Sequence, residues 1–216
     1  MPTDAPRMRD LPAPRESPSL VGPLFRRLWA WPFRFALAGL YRIGARPWHL
    51  TLLSLLGNVV VGWLLVTDRH FLPGILLLPA GLFDIFDGSI ARLRNEESRL
   101  GALLDSVIDR IADAIVFGAL LFSLVGQGRT TEAWLALAAL VVSLLVSHLR
   151  AEAEAAGLRL SGGLFQRLER YLALMVGLTA PGALLPALAV LAALGALTAL
   201  QRFVMAWRRL PPLARA

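Results

Sequence analysis

Four aspartates lie in two of the most apolar stretches of this sequence, Asp84 and Asp87 in the first and Asp105 and Asp109 in the second. A carboxylate in apolar surroundings is costly unless a counter-charge pairs with it. Two Mg²⁺ or Mn²⁺ ions would balance about four negative charges, and both ions prefer oxygen ligands. Such a two-metal site suits phosphoryl transfer, because the ions hold the phosphate oxygens.

Each pair of aspartates shares one face of a predicted helix. At about 100° per residue, Asp84, Asp87 and Gly88 lie on one side of the first helix. Asp105 and Asp109 lie on one side of the second by the same rule. We expect the two helices to be antiparallel neighbours, which brings both pairs to roughly 12 to 14 Å below the cytoplasmic surface at about 1.5 Å per residue. Small residues beside the aspartates leave a pocket there.

The alternative role of these aspartates is structural: they could form ion pairs with arginines inside a helical bundle. Arg110 is the one arginine of the sequence at that depth. We expect it to pair with Asp113, three residues further along the same helix. The three histidines, His49, His70 and His148, have no metal-ligand spacing. The aspartates are therefore the candidate metal ligands.

The composition predicts a membrane protein. The chain has 216 residues, of which 56% are hydrophobic, and a mean hydropathy of +0.62. Long apolar blocks of this kind are typical of membrane-spanning helices. We predict an all-α polytopic membrane protein with a six-helix transmembrane domain at residues 47–210, its spans near 49–67, 71–92, 100–126, 132–155, 165–181 and 184–207. Five spans are the alternative, because Pro181 and Pro186 interrupt the fifth block.

Two shorter segments precede this domain. Residues 1–20 are rich in proline and charge, and we expect a disordered tail. Residues 21–46 mix aromatic residues with arginines, which is typical of an amphipathic helix that lies in the membrane interface. We expect Pro32 to bend or divide that helix.

The placement of arginine predicts the orientation. Arginines are frequent in the N-terminal tail, the 92–99 loop, the 150–170 loop and the C-terminal segment, whereas the other connectors hold only Arg69 and Arg129. The positive-inside rule then places both termini and the aspartate pocket on the cytoplasmic side of the inner membrane. Loops beside anionic lipid also explain the net charge of +7 better than nucleic-acid binding does.

Eight residues at fixed spacings in the two aspartate-bearing helices resemble the complete signature of the CDP-alcohol phosphotransferases, also called CDP-alcohol phosphatidyltransferases: Asp84-x2-Asp87-Gly88-x2-Ala91-Arg92-x8-Gly101-x3-Asp105-x3-Asp109. The resemblance covers about residues 40–205. It implies a membrane enzyme of phospholipid synthesis that transfers a phosphoryl-linked group from a CDP-alcohol to an acceptor hydroxyl and releases CMP. In bacteria the donor is usually CDP-diacylglycerol. The family also implies a homodimer.

The resemblance further implies roles for single residues. The four aspartates would be ligands of two Mg²⁺ or Mn²⁺ ions, and Asp109 would also be the general base that activates the acceptor hydroxyl. A second group would line the nucleotide and diphosphate of the donor: Gly88, Ala91, Arg92, Gly101 and Thr51. Thr51 rests on a weaker element, "RPWHLT", near the start of the first span.

Residues 147–171 resemble the acceptor-binding segment of the phosphatidylinositol-phosphate synthases and their relatives within this family. Three basic residues match the positions that would bind the acceptor's phosphate: Arg150, Arg167 and Arg170. Glu152 and His148 depart from the subgroup, which has arginine and tyrosine there. We expect a small polar acceptor from the cytoplasm, a phosphorylated polyol like inositol phosphate, with glycerol 3-phosphate as the alternative.

A divalent-cation transporter is the alternative from another functional class. The extracytoplasmic halves of the predicted spans hold almost no polar residues, so the sequence offers no ion route across the membrane. Arginines around the mouth of the predicted pocket repel cations and attract phosphates. Both observations favour the enzyme.

Overall fold

The computed structural model of the chain describes residues 22–158 and 167–210, and within them the side chains of 30–158 and 168–210. The predicted tail at 1–20 lies outside these residues. The described residues form no strand. They form seven helices: α1 (Gly22–Arg42), α2 (Pro47–Val66), α3 (Phe71–Arg94), α4 (Arg99–Gly126), α5 (Thr130–Ala155), α6 (Arg167–Thr179) and α7 (Leu184–Arg209).

Every predicted span coincides with one of these helices. Among the described residues, α2, α3, α5 and α7 are long and apolar enough to cross a membrane, which identifies the chain as a membrane protein. α4 has sufficient length at 28 residues but carries four charged residues in its middle turns. α6 has only 13 residues, fewer than the roughly 20 that a perpendicular span needs.

Helix α1 lies where the sequence predicts an interfacial helix, but Pro32 does not divide it. Its inner face packs on α3, where the rings of Phe33 and Phe86 stack with centroids 4.8 Å apart. At its C-terminal end the guanidinium of Arg94 lies 4.9 Å from the ring centroid of Tyr41 and donates to the Tyr41 carbonyl at 3.2 Å. Its outer face leaves Trp31 exposed.

Helix α2 packs against both α3 and α4. The approach to α4 is close, because a Cβ at Gly62 would come within 2.7 Å of Ile115. Along the described residues, no Cα atom of α3 lies within 8 Å of a Cα atom of α4, so the two backbones are held apart. The two aspartate-bearing helices both pack on α2 and face each other across a cleft, and their carboxylates approach each other there, as the sequence predicts.

Helix α6 is fixed against α2 and α3 by a buried polar chain. The Tyr171 hydroxyl donates to Asn58 Oδ1 at 3.0 Å, and the Asn58 amide donates to the Ser54 carbonyl at 2.8 Å. The Tyr171 ring occupies the space in which a Cβ at Gly81 would lie, 2.7 Å away. These contacts set the rotation of α6 and hence the direction of the neighbouring residue, Arg170.

Candidate active site

Three of the four predicted aspartates meet across the cleft between α3 and α4. One carboxylate oxygen each from Asp84, Asp105 and Asp109 lies within 4.8 Å of the others, and all three residues are half-buried. A hard cation at about 2.1–2.6 Å from its ligands separates them by up to about 4 to 5 Å. The spacing and the all-oxygen donor set therefore fit a divalent cation.

Asp87 is placed differently from the other three aspartates. It is buried, and its Oδ2 accepts a hydrogen bond from the Thr51 hydroxyl at 2.7 Å. It still lies within electrostatic reach of Asp84 and Asp105. Thr51 thus ties α2 to the carboxylate side of α3, a contact that links the weaker predicted element to the main motif.

The turn between α3 and α4 shapes the mouth of the cleft. Asn95 ends α3 in the left-handed conformation, with φ 53°. Ser98 then caps α4, because its hydroxyl accepts from the Gly101 amide at 3.0 Å. This short reversal lets the chain pass from α3 to α4 while the two helices remain apart.

A cavity of about 500 Å³ opens beside the carboxylates. Its walls come from α2, α3, α4 and the α3–α4 turn. It is lined by all five residues that the sequence predicts for the nucleotide and diphosphate: Thr51, Gly88, Ala91, Arg92 and Gly101. Asp87 and Asp105 also reach it. A volume of this size is typical of small-molecule sites.

The absence of a side chain at Gly88 leaves open space in this cavity, although the surrounding residues would accommodate a Cβ there. A Cβ at this position would meet nothing closer than Nη1 of Arg92, at an ordinary 3.5 Å. The Arg92 guanidinium donates to the Ser89 hydroxyl at 3.1 Å, which holds it beside the open space. Open backbone next to an arginine fits the close approach of a diphosphate.

The predicted acceptor arginines occupy different surroundings. Arg150 is exposed near the end of α5 and pairs with Glu154 at 2.8 Å. Arg170 is largely buried on α6 and pairs with Asp113 of α4 at 3.2 Å. The side chain of Arg167 lies outside the described residues, although its backbone begins α6.

The expected pairing of Arg110 with Asp113 is wrong. Arg110 donates instead to the carbonyl and hydroxyl of Ser106 at 2.8 and 2.6 Å, and to the Ser147 carbonyl of α5 at 3.4 Å. Asp113 points toward α6, where the buried guanidinium of Arg170 is a partner from another helix. A tertiary contact between desolvated charges replaces the local pair that helix spacing suggests.

A further arginine went unnoticed in the sequence. Arg202 of α7 is buried and donates to the Val146 carbonyl of α5 at 2.9 Å. It lies within electrostatic reach of Arg150, Arg170 and Glu154, so three arginines and one carboxylate from α5, α6 and α7 lie near one another. The sequence does contain an indication of this residue, because an arginine inside an apolar block is energetically costly unless it has a function or a partner.

The two departures from the subgroup pattern contact each other. His148 Nδ1 and Glu152 Oε1 lie 3.9 Å apart on α5, with side chains 65% and 68% exposed. Arg170 and Arg202 are buried by comparison. The Glu152 carboxylate therefore lies at the surface and not among the buried arginines.

Known proteins resemble the chain over most of its length. The profile of the CDP-alcohol phosphatidyltransferase family matches residues 45–210. The phosphatidylinositol phosphate synthase of Corynebacterium glutamicum is 37% identical over 184 residues, which are 81% of this chain and 82% of that protein. The archaetidylinositol phosphate synthase of Methanothermobacter thermautotrophicus is 36% identical over 140 residues, which are 62% of this chain and 69% of that protein.

Solved structures show the same fold. The phosphatidylinositol phosphate synthase of Mycobacterium tuberculosis with CDP-DAG bound superimposes with a TM-score of 0.74 at 31% identity, over 84% of this chain and 96% of that one. A second structure of that enzyme, in complex with manganese and citrate, gives a TM-score of 0.73 over 84% and 91%. The signature, the cleft and these matches agree: the chain belongs to the CDP-alcohol phosphatidyltransferase family and is a membrane transferase.

Proposed function

We propose that this enzyme transfers a phosphatidyl group from CDP-diacylglycerol to a hydroxyl of a phosphorylated polyol, inositol phosphate, and releases CMP in phospholipid synthesis. The observation that carries the proposal is the cluster of three carboxylates, Asp84, Asp105 and Asp109, at the edge of a cavity with open backbone at Gly88. The M. tuberculosis enzyme binds CDP-DAG, and the relatives from three genera are named for inositol phosphate products.

Two divalent ions, Mg²⁺ or Mn²⁺, would be held by the four aspartates. Asp84, Asp105 and Asp109 have the donor spacing for one ion, and Asp87, within electrostatic reach of two of them, would complete the set. When bound, such cations neutralise a diphosphate and stabilise CMP as a leaving group. The manganese in the M. tuberculosis enzyme supports this assignment.

The residues of the chain have distinct roles in the proposed transfer. Arg92 and the open backbone at Gly88 bind the diphosphate and orient the phosphorus that is attacked. Asp109 removes the proton from the acceptor hydroxyl as its oxygen forms the new bond to that phosphorus. The bond between phosphorus and the CMP oxygen breaks at the same time, and CMP keeps the electron pair. The hydrogen bond from Thr51 keeps Asp87 in place throughout.

The acceptor's phosphate is assigned to the arginines Arg150, Arg167 and Arg170, with Arg202 added from the structure. Arg170 and Arg202 are buried, so contacts with a phosphate there are poorly screened by solvent. Arginine binds phosphate oxygens in a fixed planar geometry, which suits recognition of a phosphorylated polyol. Glycerol 3-phosphate carries the same group, and an acceptor panel separates the two.

Arg170→Ala is expected to raise the KM for the acceptor by about 10- to 100-fold, because a desolvated arginine–phosphate contact contributes about 1.5–3 kcal/mol. The KM for the donor should change little. Arg92→Ala should do the reverse, because Arg92 lines the donor cavity. CMP release by purified enzyme, measured with inositol phosphate, free inositol and glycerol 3-phosphate, checks both. Turnover of free inositol with a silent Arg170→Ala would refute the phosphorylated acceptor.

We also propose that α4 and α6 lie in the bilayer with the four apolar helices, which gives six spans, and that α1 lies in the interface. Their packing supports this arrangement, since α4 contacts α2 and α5 while α6 contacts α3 and α7. Both termini and the cleft then face the cytoplasm of the inner membrane, where arginine is frequent. The family further suggests a homodimer.

Cysteine labelling tests the arrangement in the membrane, because the chain has no cysteine of its own. Arg99→Cys, at the start of α4, should react with an impermeant maleimide from the cytoplasmic side alone. Thr131→Cys, in the first turn of α5, should react from the opposite side alone. Both positions are exposed, so the reagent can reach either residue from the side on which it lies. Labelling of both from one side would refute the six spans, and an active monomer in lipid nanodiscs would refute the dimer.

A further inference from the structure

The ion pair between Asp113 and Arg170 joins three helices at one buried point. Asp113 Oδ2 lies 3.2 Å from Arg170 Nη1, with side chains 5% and 12% exposed. The same Oδ2 accepts a hydrogen bond from the hydroxyl of Ser143, which is buried on α5. α4, α5 and α6 thus each contribute one polar group, and neither Asp113 nor Ser143 has a role in the transfer described above.

We propose that Asp113 and Ser143 are positioning residues that hold the Arg170 guanidinium in the orientation that receives the acceptor's phosphate, which rests on the acceptor site proposed above. Arginine has many rotamers, and ordering them on binding lowers affinity. A carboxylate that orders the guanidinium beforehand removes that loss. The Ser143 hydroxyl in turn fixes the carboxylate.

The pairing leaves donors of Arg170 available for a phosphate. A guanidinium has five N–H donors, and the ion pair joins Nη1. Its Nε is buried and makes no hydrogen bond to any residue that the structure describes. A buried ion pair is by itself weak evidence for stability. With Nη1 held by Asp113, the remaining N–H groups of Arg170 are the ones that would donate to the phosphate.

The position of Asp113 on α4 links the acceptor to the reacting centre. Asp105, Asp109 and Asp113 follow each other at intervals of four residues, which places them on one helix face. Asp113 lies one turn, about 6 Å along the axis, beyond the proposed general base. An acceptor whose phosphate binds Arg170 is therefore positioned by the same rigid helix that carries the proposed general base, Asp109.

Ser143→Ala removes the hydroxyl and leaves the ion pair. In full-length enzyme in nanodiscs, with CDP-diacylglycerol and inositol phosphate, it should raise the acceptor KM by about 3- to 10-fold, the size of one lost hydrogen bond in a network. The donor KM should stay within about twofold, and inorganic phosphate should weaken as a competitor of the acceptor by the same factor as the KM. Asp113→Asn should shift both in the same direction, and further.

The matched control is Ser123→Ala. Ser123 is also a buried helix serine whose hydroxyl donates to an aspartate, Asp68 Oδ1 at 2.8 Å, but that contact lies near the C-terminal end of α4, roughly 15 Å along the axis from Asp113. Both KM values should stay within about twofold in this variant. A purely structural role for Ser143 would lower the melting temperature with no change in acceptor KM, and that result would overturn the proposal. So would a fall in acceptor KM, since Asp113 would then compete with the phosphate.

Arg170→Ala distinguishes failure of the acceptor site from failure of the positioning role. If it raises the acceptor KM while Ser143→Ala and Asp113→Asn do not, the acceptor site stands and the positioning role fails. If it leaves the acceptor KM unchanged, the acceptor site fails and the positioning role falls with it. The double variant Ser143→Ala/Arg170→Ala should be no worse than Arg170→Ala alone, because the serine acts through the arginine.

Discussion

Replacing Asp84 or Asp105 with asparagine is expected to lower metal-dependent CMP release by at least about 100-fold, since even residues that only orient metal ligands contribute about 10- to 100-fold. The amide removes a charge and a strong oxygen ligand from a set that lies within 4.8 Å. A chelator should abolish release by the unaltered enzyme, and added Mg²⁺ or Mn²⁺ should restore it. Near-normal release by either variant would refute the assignment of these residues as ligands.

Thermal melting separates this outcome from simple misfolding. Carboxylates held close together repel each other when no cation is bound. Asp84→Asn should therefore melt at a higher temperature than the unaltered protein in chelator, and should gain less on addition of Mn²⁺. A variant that loses activity while it gains metal-free stability has lost a binding function and not its fold.

Asp68→Asn is the matched control for these variants. Asp68 lies in the turn between α2 and α3, at the ends of these helices that are remote from the cleft, and accepts hydrogen bonds from Gln127 and Ser123 at 2.9 and 2.8 Å. Those bonds lower the pKa of Asp68 below its ordinary value. Its left-handed backbone, φ 58°, is one that asparagine also adopts. CMP release by Asp68→Asn should therefore stay near normal.

Asp109→Asn is expected to lose turnover by about 100- to 10,000-fold, the contribution of a positioned general base. The variant should still bind the donor if Asp84, Asp87 and Asp105 retain enough metal affinity. Stabilisation of the protein by CDP-diacylglycerol with Mn²⁺, followed by thermal melting, measures that binding apart from turnover. Normal turnover would exclude Asp109 as the base. Loss of the donor-induced stabilisation would show that its main role is that of a ligand.

The sequence was sufficient to predict the helices and the composition of the cleft. Its motif spacing brought Asp84, Asp105 and Asp109 together, because four-residue intervals on one helix and apolar blocks of defined length leave few other arrangements. It also identified the lining of the cavity at Arg92 and Thr51. The shared helix faces follow from local periodicity, whereas the lining of the cavity was implied by the family resemblance.

Features that depend on how helices rotate about one another were not predictable in this way. Periodicity could not show that α2 packs against both α3 and α4, or that the Asp87 carboxylate would accept a hydrogen bond from Thr51. Helix spacing favoured Arg110 as the partner of Asp113. The partner is instead Arg170, which lies 57 residues after Asp113 in the sequence. Such contacts are fixed by buried networks like that of Tyr171, whose members are distant in sequence.

The gap between α3 and α4 has a consequence for how a lipid reaches the carboxylates. Trp48, Leu52 and Leu104 line the cavity, and their side chains are 59%, 45% and 50% exposed. An apolar surface therefore continues from the bilayer into the cleft. Lifting an acyl chain of about 15 methylenes into water would require on the order of 12 kcal/mol, at about 0.8 kcal/mol each. A lateral opening of this kind avoids that step, because the acyl chains stay in the lipid while only the polar head group enters the cleft.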